Sequence, residues 1–161
     1  MTDEILARVH ASLPRRVFGV GMLLIFGGML LYTALASPPA NPAWRIFLVG
    51  AGLSGLFLAD KMRRATANVL ELTETELRCS DGTRLAGTEE IEALNRDLFA
   101  FKPSNGFTLR LNRKVPATWQ PGLWWGFGRR IGVGGATSAF QTRAMAEILS
   151  AMLARRHMND T

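Results

Sequence analysis

Cysteine and histidine are nearly missing from this chain of 161 residues, and their scarcity narrows its chemistry. The lone Cys79 excludes an internal disulfide framework and a multi-cysteine zinc site, and reads as a small buried apolar residue. His10 and His157 are the only histidines, and both fall outside the expected core, where solvated roles fit better than acid–base catalysis. Glu89, Glu90 and Glu92 form an acidic cluster. Without a nearby histidine or further spaced carboxylates, they read as the polar face of a strand or turn rather than a metal site. No catalytic residue, metal or cofactor is expected on these grounds, and the chain is read as a non-enzyme.

Charge is also missing, over one long run. From Val17 to Ala36 twenty residues pass without an acid or a base, enough at about 1.5 Å per residue to cross about 30 Å of hydrocarbon. A second segment has only fourteen uncharged residues between Arg45 and Asp60. With Arg45 snorkelling back beside Trp44, and Lys61, Arg63 and Arg64 anchoring the other end, it also reaches spanning length. The short, proline-rich "SPPANPAW" turns the chain between them. Arg8, Arg15 and Arg16 precede the first segment, and Lys61, Arg63 and Arg64 follow the second. The positive-inside bias therefore puts both termini of a two-pass protein in the cytoplasm.

The second segment holds "IFLVGAGLSGLFLA", where Gly50, Gly52 and Gly55 have the G-x-G-x-x-G spacing of a dinucleotide site and Glu71 follows at about the right distance. Two readings compete. In one, "PRRVF" is a twin-arginine export signal, "ALA" at 34–36 a cleavage site, and the mature chain an exported flavin- or NAD-binding oxidoreductase. In the other, Gly50 with Ser54 and Ala51 with Gly55 are small-x-x-x-small pairs that pack the second helix on the first, so that Gly52→Ala is tolerated. The length of the first apolar run and the lack of a second strand–helix–strand unit favour the hairpin.

After residue 65 the apolar period changes to two. Strands are expected at Val69 to Thr73, Glu76 to Ser80, across the "DG" turn into "TRLAG", at Ile91 to Leu94, at Leu98 to Phe101, along "FTLRL" from Phe107, and at Arg129 to Gly134. In "FTLRL", Phe107, Leu109 and Leu111 are to face the core and Thr108 and Arg110 solvent. A helix follows from Ser138, which with Gln141 forms a capping-box pattern. Ala144, Met145, Ile148, Leu149 and Met152 make its core stripe, and Arg155 and Arg156 its solvated end.

This order of elements, with the run "FAFKPSNGFTLRL … RRIGVGG … MAEIL", resembles bacterial two-helix membrane proteins that carry a pleckstrin-homology-like (PH-like) domain. The resemblance implies an α+β inner-membrane protein: an N-terminal segment 1–16 in the cytoplasm, transmembrane helices 17–36 and 44–62 around an outer loop 37–43, and a cytoplasmic PH-like β-barrel or sandwich over 66–157 closed by an amphipathic helix. It also implies binding of lipid headgroups, peptides or proteins.

The charges are segregated along the chain. Between Thr66 and Asp97 there are eight acids and three bases, and from Leu98 to Thr161 nine bases and two acids. Lys102, Arg110, Arg113, Lys114, Arg129 and Arg130 interleave with Trp119, Trp124 and Trp125, a mixture suited to anionic phospholipid headgroups or the surface of a partner. Nucleic acid is not expected, because no RNP-like, helix-turn-helix or zinc-finger pattern occurs. The sequence thus points to an accessory or assembly subunit of an integral membrane protein complex.

Overall fold

The computed structural model describes residues 4–95 and 106–159. The expected strand at 98–101 and Lys102 lie outside them.

Strand β1 (Ile5–His10) leads directly into helix α1 (Leu13–Ala36), and helix α2 (Pro42–Ala65) leads into β2 (Val69–Thr73). Segment 1–16, read from the sequence as a tail, thus contributes a strand. β1 pairs antiparallel with β2, from Ile5 opposite Thr73 to His10 opposite Val69. Its short length and Arg8 hid it from a periodicity search, yet Val9 is fully buried with Leu70 and Leu72. The helical hairpin is therefore an insertion between two neighbouring strands, and the strand before it and the domain after it lie on the same side.

β3 (Glu76–Cys79) and β4 (Arg84–Gly87) complete a four-stranded sheet in the order β1-β2-β3-β4. A 3-10 turn, Thr88–Glu90, leads to β5 (Ile91–Asn95), β6 (Phe107–Gln120) and β7 (Trp124–Val133), a second sheet in the order β5-β6-β7. Among the described residues the two sheets stay separate, so they form a sandwich and not a closed barrel. Helix α3 (Ala139–Asn159) covers them, and Met145 and Leu149 join residues of both sheets in one core. The capping box expected at Ser138 does not form. The Ser138 N–H donates to the His10 carbonyl (3.1 Å), and Gln141 Oε1 accepts from the His10 N–H (2.9 Å), so both groups tie α3 to β1.

The two hairpin helices have 24 residues each and are long and apolar enough to cross a membrane. Only 11% of each apolar window is buried, whereas a helix serving as the core of a soluble domain would be mostly covered. Asn41 caps α2 by accepting from the Ala43 N–H at 2.9 Å, and Pro42 occupies the first turn, where its missing N–H has no cost.

The seam between the helices is made of small residues, but not all of those read from the sequence. Gly27, Ala34, Gly52 and Ala59 are buried there. A Cβ on Gly52 would stand 2.7 Å from Leu31 Cγ and 3.0 Å from the Gly27 carbonyl oxygen, and one on Gly55 would stand 3.2 Å from Gly27 Cα. Gly50 has open space around it, and Ser54 is exposed with its hydroxyl donated back to the Gly50 carbonyl (2.7 Å). At about 100° per residue Gly52, Gly55 and Ala59 share one face, while Gly50 and Ser54 point away from it. Ala51 is half-buried at the edge.

Gly52→Ala, tolerated on the sequence reading, is therefore expected to overpack the seam at about 1–3 kcal/mol, while Gly50→Ala leaves stability unchanged. Thermal unfolding of the full chain in mild detergent checks this, and equal melting temperatures for the two variants would refute the seam. Val9→Asp is expected to cost on the order of 3–5 kcal/mol by leaving an unpaired charge in the core. A Val9→Asp chain that melts with the wild type would remove β1 from the fold.

Candidate functional site

Strand directions divide the domain into two poles. The hairpin joins at His10, Leu13, Ala65 and Val69, which mark one pole. β2 runs outward from it, β3 returns, and β4 runs outward again to the Thr88–Glu90 turn. That turn is fixed at the far pole by the Thr88 N–H donated to the Thr75 carbonyl (2.8 Å) and the Thr88 hydroxyl donated to Glu74 (2.9 Å). α3 spans the same distance: it starts beside His10, and near its end Arg156 donates to the Thr88 and Glu89 carbonyls (3.3 and 2.9 Å). Arg156, read from the sequence as merely solvated, thus closes the end of α3 on the turn. An apolar cleft of about 200 Å³ lies beneath, lined by Ile91, Leu149, Met152 and Leu153.

The β6–β7 pair is the source of the basic residues, and its shape decides where they go. Gly134 N–H donates to the Leu123 carbonyl at 3.0 Å, so the two ends of β7 meet, although ten extended residues would span about 33 Å. The ribbon must fold back on itself. It does so where the register slips: Arg110 pairs with Arg130 and Val115 with Gly128, leaving Leu111, Asn112, Arg113 and Lys114 opposite Arg129 alone. Gly128 takes φ +60° there, a left-handed conformation that a side chain would strain. Arg113 at this bend reaches Glu90 at 2.7 Å, which places the bend at the far pole.

Of the nine residues singled out as one surface, the eight that are described accordingly separate. Arg113, Lys114, Arg129 and Arg130 lie at or beside the bend, together with Phe127, which is 71% exposed. Trp119 stands at the hairpin pole, half-exposed, with Lys61 Nζ of α2 over its ring at 5.1 Å. Trp124 is not a surface residue: it is only 5% exposed and packs in the core, with its indole N–H unpartnered among the described residues. Trp125 is half-buried across Gly132, where the missing side chain makes room for the ring. This lid also explains Thr108, expected to face solvent but buried, since Gly132 is its cross-strand partner. Alternation in β7 was readable from the sequence. The folding back that buries both faces at its two ends, and leaves Phe127, Arg129 and Arg130 exposed between them, was not.

Folding also undoes much of the charge segregation. Arg113 pairs with Glu90, Arg110 with Glu92 at 3.3 Å, and Arg84 with Glu89 at 3.3 Å, so each acid of the cluster has its own arginine. Lys114, Arg129 and Arg130 make no ion pair among the described residues. The two histidines are far apart, His10 at the hairpin pole and His157 in the last turn of α3, so they do not converge on one site. Gly50, Gly52 and Gly55 lie inside one continuous helix. The dinucleotide fingerprint needs them in a strand-to-helix turn with N–H groups free to meet a pyrophosphate, and helical N–H groups are already donated to carbonyls one turn back. These glycines therefore do not form the strand-to-helix turn of a dinucleotide site, and cleavage after Ala36 would also remove β1 from its sheet.

Comparison with protein-family models, with curated proteins and with solved structures finds no match to this chain.

The Arg113 guanidinium beside Glu90 holds its carboxyl below the ordinary value of 4.5, helped by the Gly87 N–H (2.8 Å) and opposed by partial burial. A depressed carboxylate contributes stability that is present above its unfolded value and lost as pH falls through the folded one. Arg113→Gln is expected to lower the melting temperature at pH 7, and the gap from wild type should close below the folded value of Glu90, under pH 4.5. A gap of constant size across this range would assign Arg113 a packing role.

Proposed function

We propose that this protein is a non-enzymatic, membrane-anchored binding module, an accessory or assembly subunit of an inner-membrane protein complex, whose PH-like domain presents a basic pole to an acidic partner protein. The observation that carries this reading is the far pole itself. Lys114, Arg129 and Arg130 are exposed there beside Phe127, on the side of the domain opposite the hairpin. A positive patch around one apolar anchor suits a partner surface of opposite charge, which speeds encounter and fixes orientation.

The same placement disfavours the headgroups of the protein's own membrane as the ligand of this patch. Five strand residues separate the poles, roughly 16 Å, which is about two Debye lengths at physiological salt. Among the described residues, seven strands in sheets of four and three followed by one helix support the PH-like reading. Arg15 and Arg16 at one end of the hairpin and Lys61, Arg63 and Arg64 at the other support a cytoplasmic domain, since basic residues favour that face.

Lys114→Glu, Arg129→Glu and Arg130→Glu combined should leave the melting temperature within a few degrees of wild type and abolish recovery of the partner from mild detergent. Added salt should weaken the wild-type complex in the same direction. Undiminished recovery of the same membrane partner by the folded triple variant would sink the proposal.

A further inference from the structure

Exposed aromatic residues occur at the hairpin pole as well as at the far pole. Trp119 of β6 is 50% exposed and Phe140, in the first turn of α3, 81% exposed. They flank the base of the hairpin: Trp119 lies under Lys61 of α2, while Phe140 follows the Thr137–Ser138 segment, which pairs with the β1–α1 junction at His10 and Ala11. We propose that Trp119 and Phe140 enter the headgroup layer on either side of the hairpin and seat the sandwich on the bilayer that the hairpin crosses. This rests on reading α1 and α2 as membrane-spanning.

The height of the two rings is fixed because the domain is bolted to the helices. Only Ala11 and Ser12 separate β1 from α1, and only Thr66, Ala67 and Asn68 separate α2 from β2. Ser12 N–H donates to the Ala136 carbonyl at 2.6 Å, Ala11 bridges to Thr137, and Arg15 donates to the Thr137 carbonyl at 3.3 Å. On the other side the β6–β7 turn rests on α2, where a Cβ on Gly122 would meet Thr66 Cγ2 at 3.0 Å and Met62 Cε at 3.3 Å. Ala136 N–H donated to the Gly122 carbonyl (2.9 Å) links these two supports. A domain held at both strand junctions and at a third point cannot swing away from the helix ends.

The chemistry at that height is that of an interface. Arg15, Arg16, Lys61, Arg63 and Arg64 form a basic belt where the helices leave the apolar region, the level at which cationic side chains meet anionic headgroups. Tryptophan and phenylalanine at the same level place apolar ring area below the headgroups, and the indole N–H can stay in the wet layer. Phe127, equally exposed, is at the other pole and serves as the internal contrast.

The test uses the full chain with Cys79→Ala, reconstituted in vesicles of zwitterionic and anionic phospholipid. Nitroxides are attached one at a time at Trp119→Cys, Phe140→Cys, Phe127→Cys, Met158→Cys and Phe26→Cys. Collision with oxygen, which concentrates in the bilayer, is compared with collision with a water-soluble nickel chelate. The labels at 119 and 140 are expected to have a several-fold higher oxygen-to-nickel ratio than those at 127 and 158, approaching that at 26 in the hairpin. Ratios at 119 and 140 equal to those at 127 and 158, with 26 still shielded, would overturn the seating while leaving the hairpin in the membrane. A label at 26 open to nickel would overturn both. Should the labelled variants melt early, quenching of tryptophan fluorescence by brominated lipid decides: Trp119→Phe should lower the quenched fraction, and an unchanged fraction refutes the proposal.

Discussion

The pairing of β1 with β2 is the constraint on which the rest of the structure depends. Two strands joined by five or six residues of hairpin would be ordinary. Here the connection is two 24-residue helices and their turn, and the strands still pair from Ile5 to His10, with one register slip between Ile5 and Ala7. Because antiparallel neighbours lie about 4.8 Å apart, the two helices must leave the domain side by side and run back to back. Close approach of the helices then requires small residues along one face of each. Gly27 against Gly52 and Gly55 meets that requirement, and the open space around Gly50 shows that only the shared face is so constrained.

The same pairing defines the two poles, and the poles define what each part of the surface can meet. A domain attached by one flexible linker could turn any face toward the helices. Attached at the junctions of two adjacent strands, and braced where Gly122 meets Thr66 and Met62, it turns one. The belt of arginine and lysine, with Trp119 and Phe140, is then directed at the helix exits, and Lys114, Arg129 and Arg130 are directed away. A basic, tryptophan-containing stretch that is continuous in sequence is thus divided between two poles, because the β6–β7 ribbon folds back between them.

Some of this was legible before any coordinates. Val69 to Thr73 was placed to the residue, the inward set Phe107, Leu109 and Leu111 was right, and Met145 and Leu149 were correctly assigned to the covered face of α3. These are local signals: a period of two or 3.6 read against one buried face. β1 was missed because six residues with one fully buried side chain give too short a pattern to stand out. Thr108 was misplaced because alternation assumes one wet face, whereas Trp125 folds over Gly132 beside it, and Trp124 was misplaced because its basic neighbours in the sequence carry no sign of the folding back that buries it.

The sequence by itself determined the two apolar helices, most of the strands and the packed face of α3, since each follows from hydrophobic period and length along a continuous stretch. It could not determine which glycines form the helix seam, which acids neutralise which arginines, or that one charged run divides between two poles. Those outcomes depend on a register slip at Arg113 and Lys114 and on contacts between residues far apart in the chain, such as Arg113 with Glu90 and Ser12 with Ala136. Their energies exist only once the whole sandwich is assembled, so tertiary structure alone decided them.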